Sequence, residues 1–377
     1  MHIILYLILY LQAPAPAPEP GAKPVAIKGA RILTAAGPEI ASGTILVKGG
    51  KIEAVGADVA IPEGAEVIDG TGRVAMPGFV HPYTRIGSSS SGTGNAPNHL
   101  ALEELNPSID AYRPVVRAGF TTLAIYPNGG FIAGQAVAFK PRGVARDQMS
   151  ILSPAYLRLD MELSSGAKDQ IRLALEGAKR WKDRRGGSSD SKPDDRTAPF
   201  VQVLKGELRV IVEIASPAEY LHFRQVLKPF EDPALKIAIV GSPDLWRGAE
   251  ALGSKKETVI IRPDPSFVPD TRIRISPAAE LAAAGCTVGF LPPDAISQLD
   301  GYLFRVSQLV KLGFSPEAAL KAMTIIPAEA AGVGKRVGSI EKGKDADVLL
   351  LDGDPFSGTA RILKVMIDGK IEHEATP

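Results

Sequence analysis

Between residues 80 and 335 the chain repeats one unit, a short and nearly continuous apolar strand followed by a helix-patterned stretch. LRVIVEI (208–214) leads to PAEYLHFRQVL (217–227), and KIAIVG (236–241) leads to DLWRGAEAL (244–252). ETVIIRP (257–263) leads to PAAELAAAG (277–285), and TVGFLPP (287–293) to AISQLDGYLFRVSQLVKLG (295–313). A strand that is apolar on both faces must be covered on both, and a helix after each strand brings the next one back parallel. Earlier units fit the same scheme: AGFTTLAIY (118–126), QAVAFKP (135–141) and the basic-ended helix GAKDQIRLALEGAKRWKDRR (166–185). The expected fold class is therefore α/β, with residues 79–337 forming a (β/α)8 TIM-like barrel, complete or shortened. The polar insert GGSSDSKPDDRT (186–197) is expected to be a surface loop.

The two ends of the chain have a different texture. AIKGARILT (26–34), GTILVKGGKIEAVG (43–56) and AEVIDGTGRVAMPGF (65–79) alternate apolar and polar residues around Gly-Gly, Asp-Gly and Thr-Gly turns. GSIEKGKDADVLLLDGDPF (338–356) and RILKVMIDGKIEH (361–373) do the same, the latter with an Asp368-Gly369 hairpin. This is antiparallel-sheet chemistry. Residues 24–78 and 338–377 are expected to build one small composite β-sandwich. Residues 1–23 stand apart: the apolar run IILYLILYL (3–11) precedes the Ala-Pro tract APAPAPEP (13–20). The run is too short to span a bilayer, which takes about 20 residues, so no transmembrane span is expected. Its length suits the apolar part of an export signal, and an exported or periplasmic protein is the expectation. Against this, no Lys or Arg precedes the run and proline follows each small-residue cleavage position, which keeps an uncleaved leader or a misplaced start open.

Composition narrows the function classes. The formal charge is +1, from 43 basic and 42 acidic side chains, which argues against a nucleic-acid surface. The single cysteine, Cys286, lies in an apolar stretch and reads as a buried, inert thiol; one cysteine excludes an internal disulfide and a cysteine zinc cluster. Walker loop, dinucleotide fingerprint and nucleophile elbow are all missing. The five histidines are His2, His81, His99, His222 and His373.

Several segments, in order, carry a resemblance: GTILVKGGKIEAVG, VIDGTGRVAMPGFVHPY, AGFTTLAIYPNGGFIAGQAVAFKPRG, SPEAALKAMTIIPAEAAGV and VGSIEKGKDADVLLLDGDPF. Over residues 25 to 373 the chain resembles the amidohydrolase superfamily, in the branch close to imidazolonepropionases. The resemblance implies the barrel with a β-sandwich beside it, and hydrolysis of C–N bonds other than peptides at the barrel mouth. It also implies zinc or another divalent metal, which lowers the pKa of a bound water to about 7. The ligands it implies are two histidines on strand 1, often a lysine or glutamate on strand 4, histidines on strands 5 and 6, and an aspartate on strand 8.

These positions hold other residues here. In VAMPGFVHPYTRIG (74–87) the two strand-1 positions, which share a face, are Tyr83 and Arg85. Tyr83 would have to lose a proton of pKa about 10, and a guanidinium has no lone pair to give. His81 stands where the family has aspartate; it is read as a hydrogen-bonding residue at a strand end, with a place in the pocket as the alternative. Strand 4, within 147–163, has no lysine between Lys140 and Lys168, and its acids Asp160 and Glu162 read as solvated side chains or as substitutes. Glu213 and Gly241 stand at the strand-5 and strand-6 histidine positions. Asp294 is the candidate catalytic aspartate of strand 8, or else the N-cap of the helix from 295. His222 belongs to an outer helix, His373 to a terminal strand, and His99 is expected at the surface. Gly129-Gly130 and Gly134-Gln135 match a family loop after strand 2, as a turn or a pocket border.

A hydrolytic metal needs three or four directed donors, so no metal or other cofactor is expected. The expected pocket is His81, Tyr83, Arg85, Glu213 and Gly241, with Arg85 standing at the former metal position and paired with Glu213 or Asp294. An unpaired buried charge is strongly unfavourable, and a hydrogen-bonded pair is tolerated. The functional expectation is a catalytically impaired amidohydrolase that binds a small-molecule ligand or assembles with itself or a relative. The alternative is an active hydrolase of cyclic amides or related C–N bonds with an atypical site.

Overall fold

The computed structural model describes residues 23–375 except 90, 91, 93, 109, 163, 185–191 and 231–233. The expected leader, but for its last residue, and half of the polar insert lie outside the described residues. No described helix is long and apolar enough to cross a membrane.

Strands from the two chain ends share one eight-stranded sheet. Val348–Leu351 pairs antiparallel with Val74–Pro77 on one side and with Ile362–Ile367 on the other. Val25–Ile32 continues the sheet into Ile40–Lys48 and Lys51–Gly56. Its apolar face buries Ile27, Ile45, Ile52 and Val348. Asp368 and Gly369 both take positive φ, +47° and +73°, the type I′ geometry that matches the twist of a two-residue hairpin. Where two facing sheets were expected, the pairing gives a single sheet drawn from both ends.

The middle of the chain is mixed α/β, as its repeats predict. A parallel series runs Tyr156–Asp160, Arg209–Ile214, Ile237–Gly241, Thr258–Ile261, Thr287–Phe290. Phe79–Thr84 pairs in parallel with Phe120–Ile125 in a second sheet. Residues 132–139 link the two: Ile132–Gln135 pairs antiparallel with Tyr156–Asp160, and Val137–Phe139 antiparallel with Phe120–Ile125. Among the described residues no ladder joins Phe79–Thr84 to Thr287–Phe290, so hydrogen bonding leaves the expected ring open at that point. The helix Ile325–Ala330 packs against both edge strands there. Its Ala328 and Ala330 are small enough to enter the interior cluster of Val80, Ile211, Val240 and Ile260.

Local sequence explains how these units are set. Ser216, Ser276 and Ser315 each cap a helix, their hydroxyls accepting from the amides of Glu219, Ala279 and Ala318, with proline at the first helical position. Gly78, between the terminal sheet and Phe79–Thr84, has no room for a side chain: a Cβ would lie 2.1 Å from Thr121 Oγ1. That explains the Pro77-Gly78 step. Cys286 is buried and free, as expected, and burial pushes its thiol up to about 11.

One buried ion cluster ties the middle to the terminal sheet. Lys140, 2% exposed, follows the strand Val137–Phe139 and contacts Asp345 and Asp347, each at 2.9 Å, and Asp368. Arg336 braces Asp345 at 2.9 Å. Burial raises the Asp345 pKa, but Lys140 and Arg336 outweigh it and bring it to about 2. Burial, with Asp368 and Asp345 adding to it against Lys140, pushes Asp347 up to about 6. Asp347 therefore takes up a proton on folding between the ordinary carboxylate range and about 6, so its stabilising contribution is present at low pH and is lost as pH rises through that window. Asp347→Asn should lack this loss. In urea unfolding, its stability relative to the unsubstituted protein should rise by about 2 kcal/mol between about pH 4 and pH 7. A pH-independent difference would contradict this assignment.

Candidate functional site

The site lies at the carboxyl ends of the parallel strands. On Arg209–Ile214, Val210, Val212 and Ile214 face the outer core, whereas Ile211 faces the interior. Glu213 shares the parity of Ile211 and so reaches the mouth. The same alternation on Tyr156–Asp160 sends Arg158 and Asp160 there.

These residues converge on one guanidinium, that of Arg158. Its Nε donates to Tyr83 Oη at 2.9 Å, and one terminal nitrogen donates to Glu213 Oε2 and Asp160 Oδ2, both at 2.9 Å. The other terminal nitrogen donates to the Gly130 carbonyl at 3.1 Å. Tyr83 Oη in turn donates to Glu213 Oε2 at 2.7 Å. The Arg158 side chain is 8% exposed, and Glu213 and Asp160 are 43% and 32% exposed, so the cation forms the floor and the carboxylates the rim. Burial works against the Arg158 charge, but Tyr83, Glu213 and Asp160 outweigh it and raise its pKa further. Burial raises Asp160 above the ordinary carboxylate value, with Arg158 opposing and Glu213 and Glu162 adding to the rise. Tyr83 stacks on Tyr126, ring centroids 3.9 Å apart, and burial holds its phenol well above the ordinary value. Tyr126 is pushed up to about 12, chiefly by burial.

The expected partner of Arg85 is corrected. Among the described residues its guanidinium bonds Glu104 at 3.0 Å and the Tyr126 carbonyl at 2.7 Å, rather than Glu213 or Asp294. Glu104 is 4% exposed and also accepts from Ser88 at 2.7 Å and bonds His99 Nε2 at 2.8 Å. Burial acts to raise the Glu104 pKa, but Ser88, His99 and Arg85 hold it below the ordinary range. A carboxylate buried this deeply selects its own cations, and it captures Arg85 from the mouth. His99, expected at the surface, is thereby drawn in, its side chain 18% exposed.

Asp294 faces the mouth. Its Oδ1 accepts from Thr84 Oγ1 at 2.5 Å and lies 3.4 Å from His81 Nε2. The following 3-10 helix, Ile296–Gly301, begins after Ala295 without a side-chain cap, which removes the N-cap alternative. Burial works to raise the Asp294 pKa, but His81, the Thr84 hydroxyl and the Arg85 amide hold it below the ordinary value. His81 is 1% exposed, and neither ring nitrogen makes a well-aligned hydrogen bond among the described residues. The reading of His81 as a hydrogen-bonded strand-end residue is corrected to this contact with Asp294. Gly241 is corrected as well: a Cβ there would meet the Ile214 carbonyl at 2.2 Å and Leu245 at 2.5 Å, so the position points away from the mouth. Gly130 borders the site through its carbonyl, and His222 is exposed on the outer helix Pro217–Leu227.

The donor set does not fit the metal of the hydrolytic family. The strand-1 positions carry a phenol that burial keeps protonated and a guanidinium, and Arg158 already occupies the lone pairs of Glu213 and Asp160 that face it. No group of three or more His, Cys, Asp or Glu among the described residues is disposed to hold an ion. Sequence reasoning missed Arg158, Glu104, Thr84 and Tyr126. A signal for Arg158 existed: in YLRLD (156–160) an arginine interrupts an apolar strand two residues before an acid on the same face. Tyr83→Phe should cost about 1–2 kcal/mol in urea unfolding, because the lost hydroxyl serves both Arg158 and Glu213. An unchanged midpoint would show that the network contributes nothing to stability.

Comparison with known proteins agrees with this architecture. The model of the amidohydrolase family matches residues 298–371. The imidazolonepropionase of Geobacillus sp. (strain WCH70) is 24% identical, the alignment covering 83% of this chain and 84% of that protein. The 5-methylthioadenosine/S-adenosylhomocysteine deaminase of Pelotomaculum thermopropionicum is 26% identical over 87% of this chain and 84% of its own length. An amidohydrolase structure from Thermotoga maritima superposes with a TM-score of 0.77 at 22% identity, covering 93% of this chain and 100% of that one. Other alignments, to an amidohydrolase and to dihydroorotases, are 36–39% identical but span only 6–19% of those relatives' length. The chain belongs to the amidohydrolase superfamily. Among its relatives, imidazolonepropionases are similar to it, at 36–37% identity over 20–24% of the chain and 24% over 83%.

Proposed function

We propose that this amidohydrolase has exchanged its metal centre for a fixed cation and now binds a small molecule, or a second protein chain, without metal-dependent hydrolysis. One observation carries the reading: the Arg158 guanidinium joins Tyr83, Asp160 and Glu213, from the strands that supply metal ligands in the resembling family. A metal ion would supply a Lewis acid and a hydroxide at neutral pH; a guanidinium supplies charge and donors only. The proposal includes the domain organisation drawn from the sequence, a barrel over 79–337 beside a composite β domain. It also includes export through the apolar run at 3–11 and assembly with itself or a relative. The test is hydrolysis of cyclic amides and N-acyl amino acids, with zinc, manganese or chelator added. The expected result is no turnover that responds to metal or chelator; chelator-sensitive turnover would overturn the reading.

A second reading rests on Asp294, whose side chain is half exposed at the mouth and within 3.4 Å of His81. A carboxylate poised in this way can act as a general base on a water that attacks the carbon of a C–N bond, the nitrogen leaving with a proton, in an atypical hydrolase. It requires metal-independent turnover that Asp294→Asn removes.

A further inference from the structure

The opposite pole of the barrel carries a cavity of about 570 Å³ that the mouth chemistry does not use. Its walls come from the amino-terminal ends of the strands: Glu207 and Arg209 at the start of Arg209–Ile214, Lys236 just before Ile237–Gly241, and Glu329, Gly332 and Lys335 from the helix Ile325–Ala330 and the turn after it. Arg209 lies four residues below Glu213 on the same strand and face, about 13 Å away at the strand rise. The cavity and the mouth are therefore separate places on the molecule.

Arg209 is the unusual member. Every other interior-facing cation described above is matched: Lys140 by three aspartates, Arg158 by two carboxylates and a phenol. Arg209 is half-buried, and its side chain has no hydrogen-bond or ion-pair partner among the described residues. Burial holds its guanidinium below the ordinary arginine value, with Glu329 as the one charge acting against that. Glu329 stays beyond ion-pair reach of it. A guanidinium that has lost water and gained no acceptor is a preformed donor fork, and its planar geometry suits an oxyanion. Lys335 adds a second charge to the wall, and Lys236, held by the Gly206 carbonyl at 2.7 Å, adds a third. Three cations thus line the cavity against the two carboxylates of Glu207 and Glu329. Gly332 keeps the space open: at φ +80° its absent Cβ would meet Leu152 at 2.9 Å and Arg209 Nε at 3.4 Å.

We infer that this cavity is an oxyanion site, taking a phosphate-type group between Arg209, Lys236 and Lys335, independent of whatever occupies the mouth. The experiment uses the full chain and inorganic phosphate as probe, followed by calorimetry and by thermal unfolding at low ionic strength. Phosphate should bind and raise the melting temperature. Arg209→Gln should weaken binding at least about tenfold, the loss of one bidentate charged contact. The same variant should melt at or above the unsubstituted protein in phosphate-free buffer, since the Arg209 side chain makes no bond among the described residues that it would lose. Glu329→Gln should tighten binding, which a merely structural role for that residue would not do. Tyr83→Phe at the mouth should leave phosphate binding unchanged, so the result does not depend on the mouth's function. No phosphate binding by the unsubstituted protein, equal binding by the Arg209→Gln variant, or weaker binding by the Glu329→Gln variant would each overturn the inference.

Discussion

Lys140→Met should lower the unfolding free energy by about 3–5 kcal/mol, the cost of leaving buried carboxylates without their counter-ion. The size follows from where the charges sit. Lys140, Asp345 and Asp347 are each at most 5% exposed, and Asp368 completes the shell around the ammonium. Removing the lysine leaves Asp345 with Arg336 and Lys51, but Asp347 and Asp368 lose their strongest cation. Because the cluster spans the strand Val137–Phe139 and the terminal sheet, the loss should also separate the two parts. Hydrogen exchange should then show Val348–Leu351 opening before the parallel strands. The double variant Lys140→Met with Asp347→Asn should recover part of the loss, since fewer charges remain unpaired. A single variant as stable as the unsubstituted protein would show that solvent reaches the cluster.

Arg158→Met should cost about 2–3 kcal/mol, less than the lysine change because Glu213 and Asp160 are partly exposed and water can take over some of their solvation. Its pH dependence is the sharper signature. Asp160 is already raised by burial and by Glu213 and Glu162, with Arg158 opposing. Without Arg158 it should rise further, so the variant should regain stability as pH falls through the carboxylate range. Arg158→Lys should recover little, because an ammonium cannot present the fork that reaches Tyr83, Glu213 and Gly130 together. Full rescue by lysine would reduce the role of Arg158 to charge alone.

Much of this architecture is legible in the sequence because it rests on local rules. Ser-Pro pairs at 216, 276 and 315 announce helix starts, continuous apolar strands announce a sheet covered on both faces, and Asp368-Gly369 announces a hairpin. The altered strand-1 positions, Tyr83 and Arg85, were equally visible, whereas Asp294 was legible only as one of two readings, at the mouth or as a helix N-cap. What local rules cannot supply is the choice among competing partners. Arg85 pairs with Glu104, the last residue of the short 3-10 helix Ala101–Glu104, which no strand pattern marks. Glu213 then fell to Arg158, a residue whose significance depends on a neighbouring strand rather than on its own. The direction of Gly241 turned on backbone approach, with the Ile214 carbonyl occupying the place a side chain would need. The antiparallel strands Ile132–Gln135 and Val137–Phe139 and the open edge beside Ile325–Ala330 likewise depend on packing between distant segments.

The most direct measurement is elemental analysis of the full chain, expressed and purified without chelator and with zinc, manganese and iron in the medium. With the Arg158 guanidinium bonded to Tyr83, Asp160 and Glu213, the purified protein should carry these metals only in substoichiometric amounts. Its melting temperature should be indifferent to added chelator. One tightly held metal ion per chain, released together with stability or turnover by a chelator, would contradict the exchange of metal for arginine.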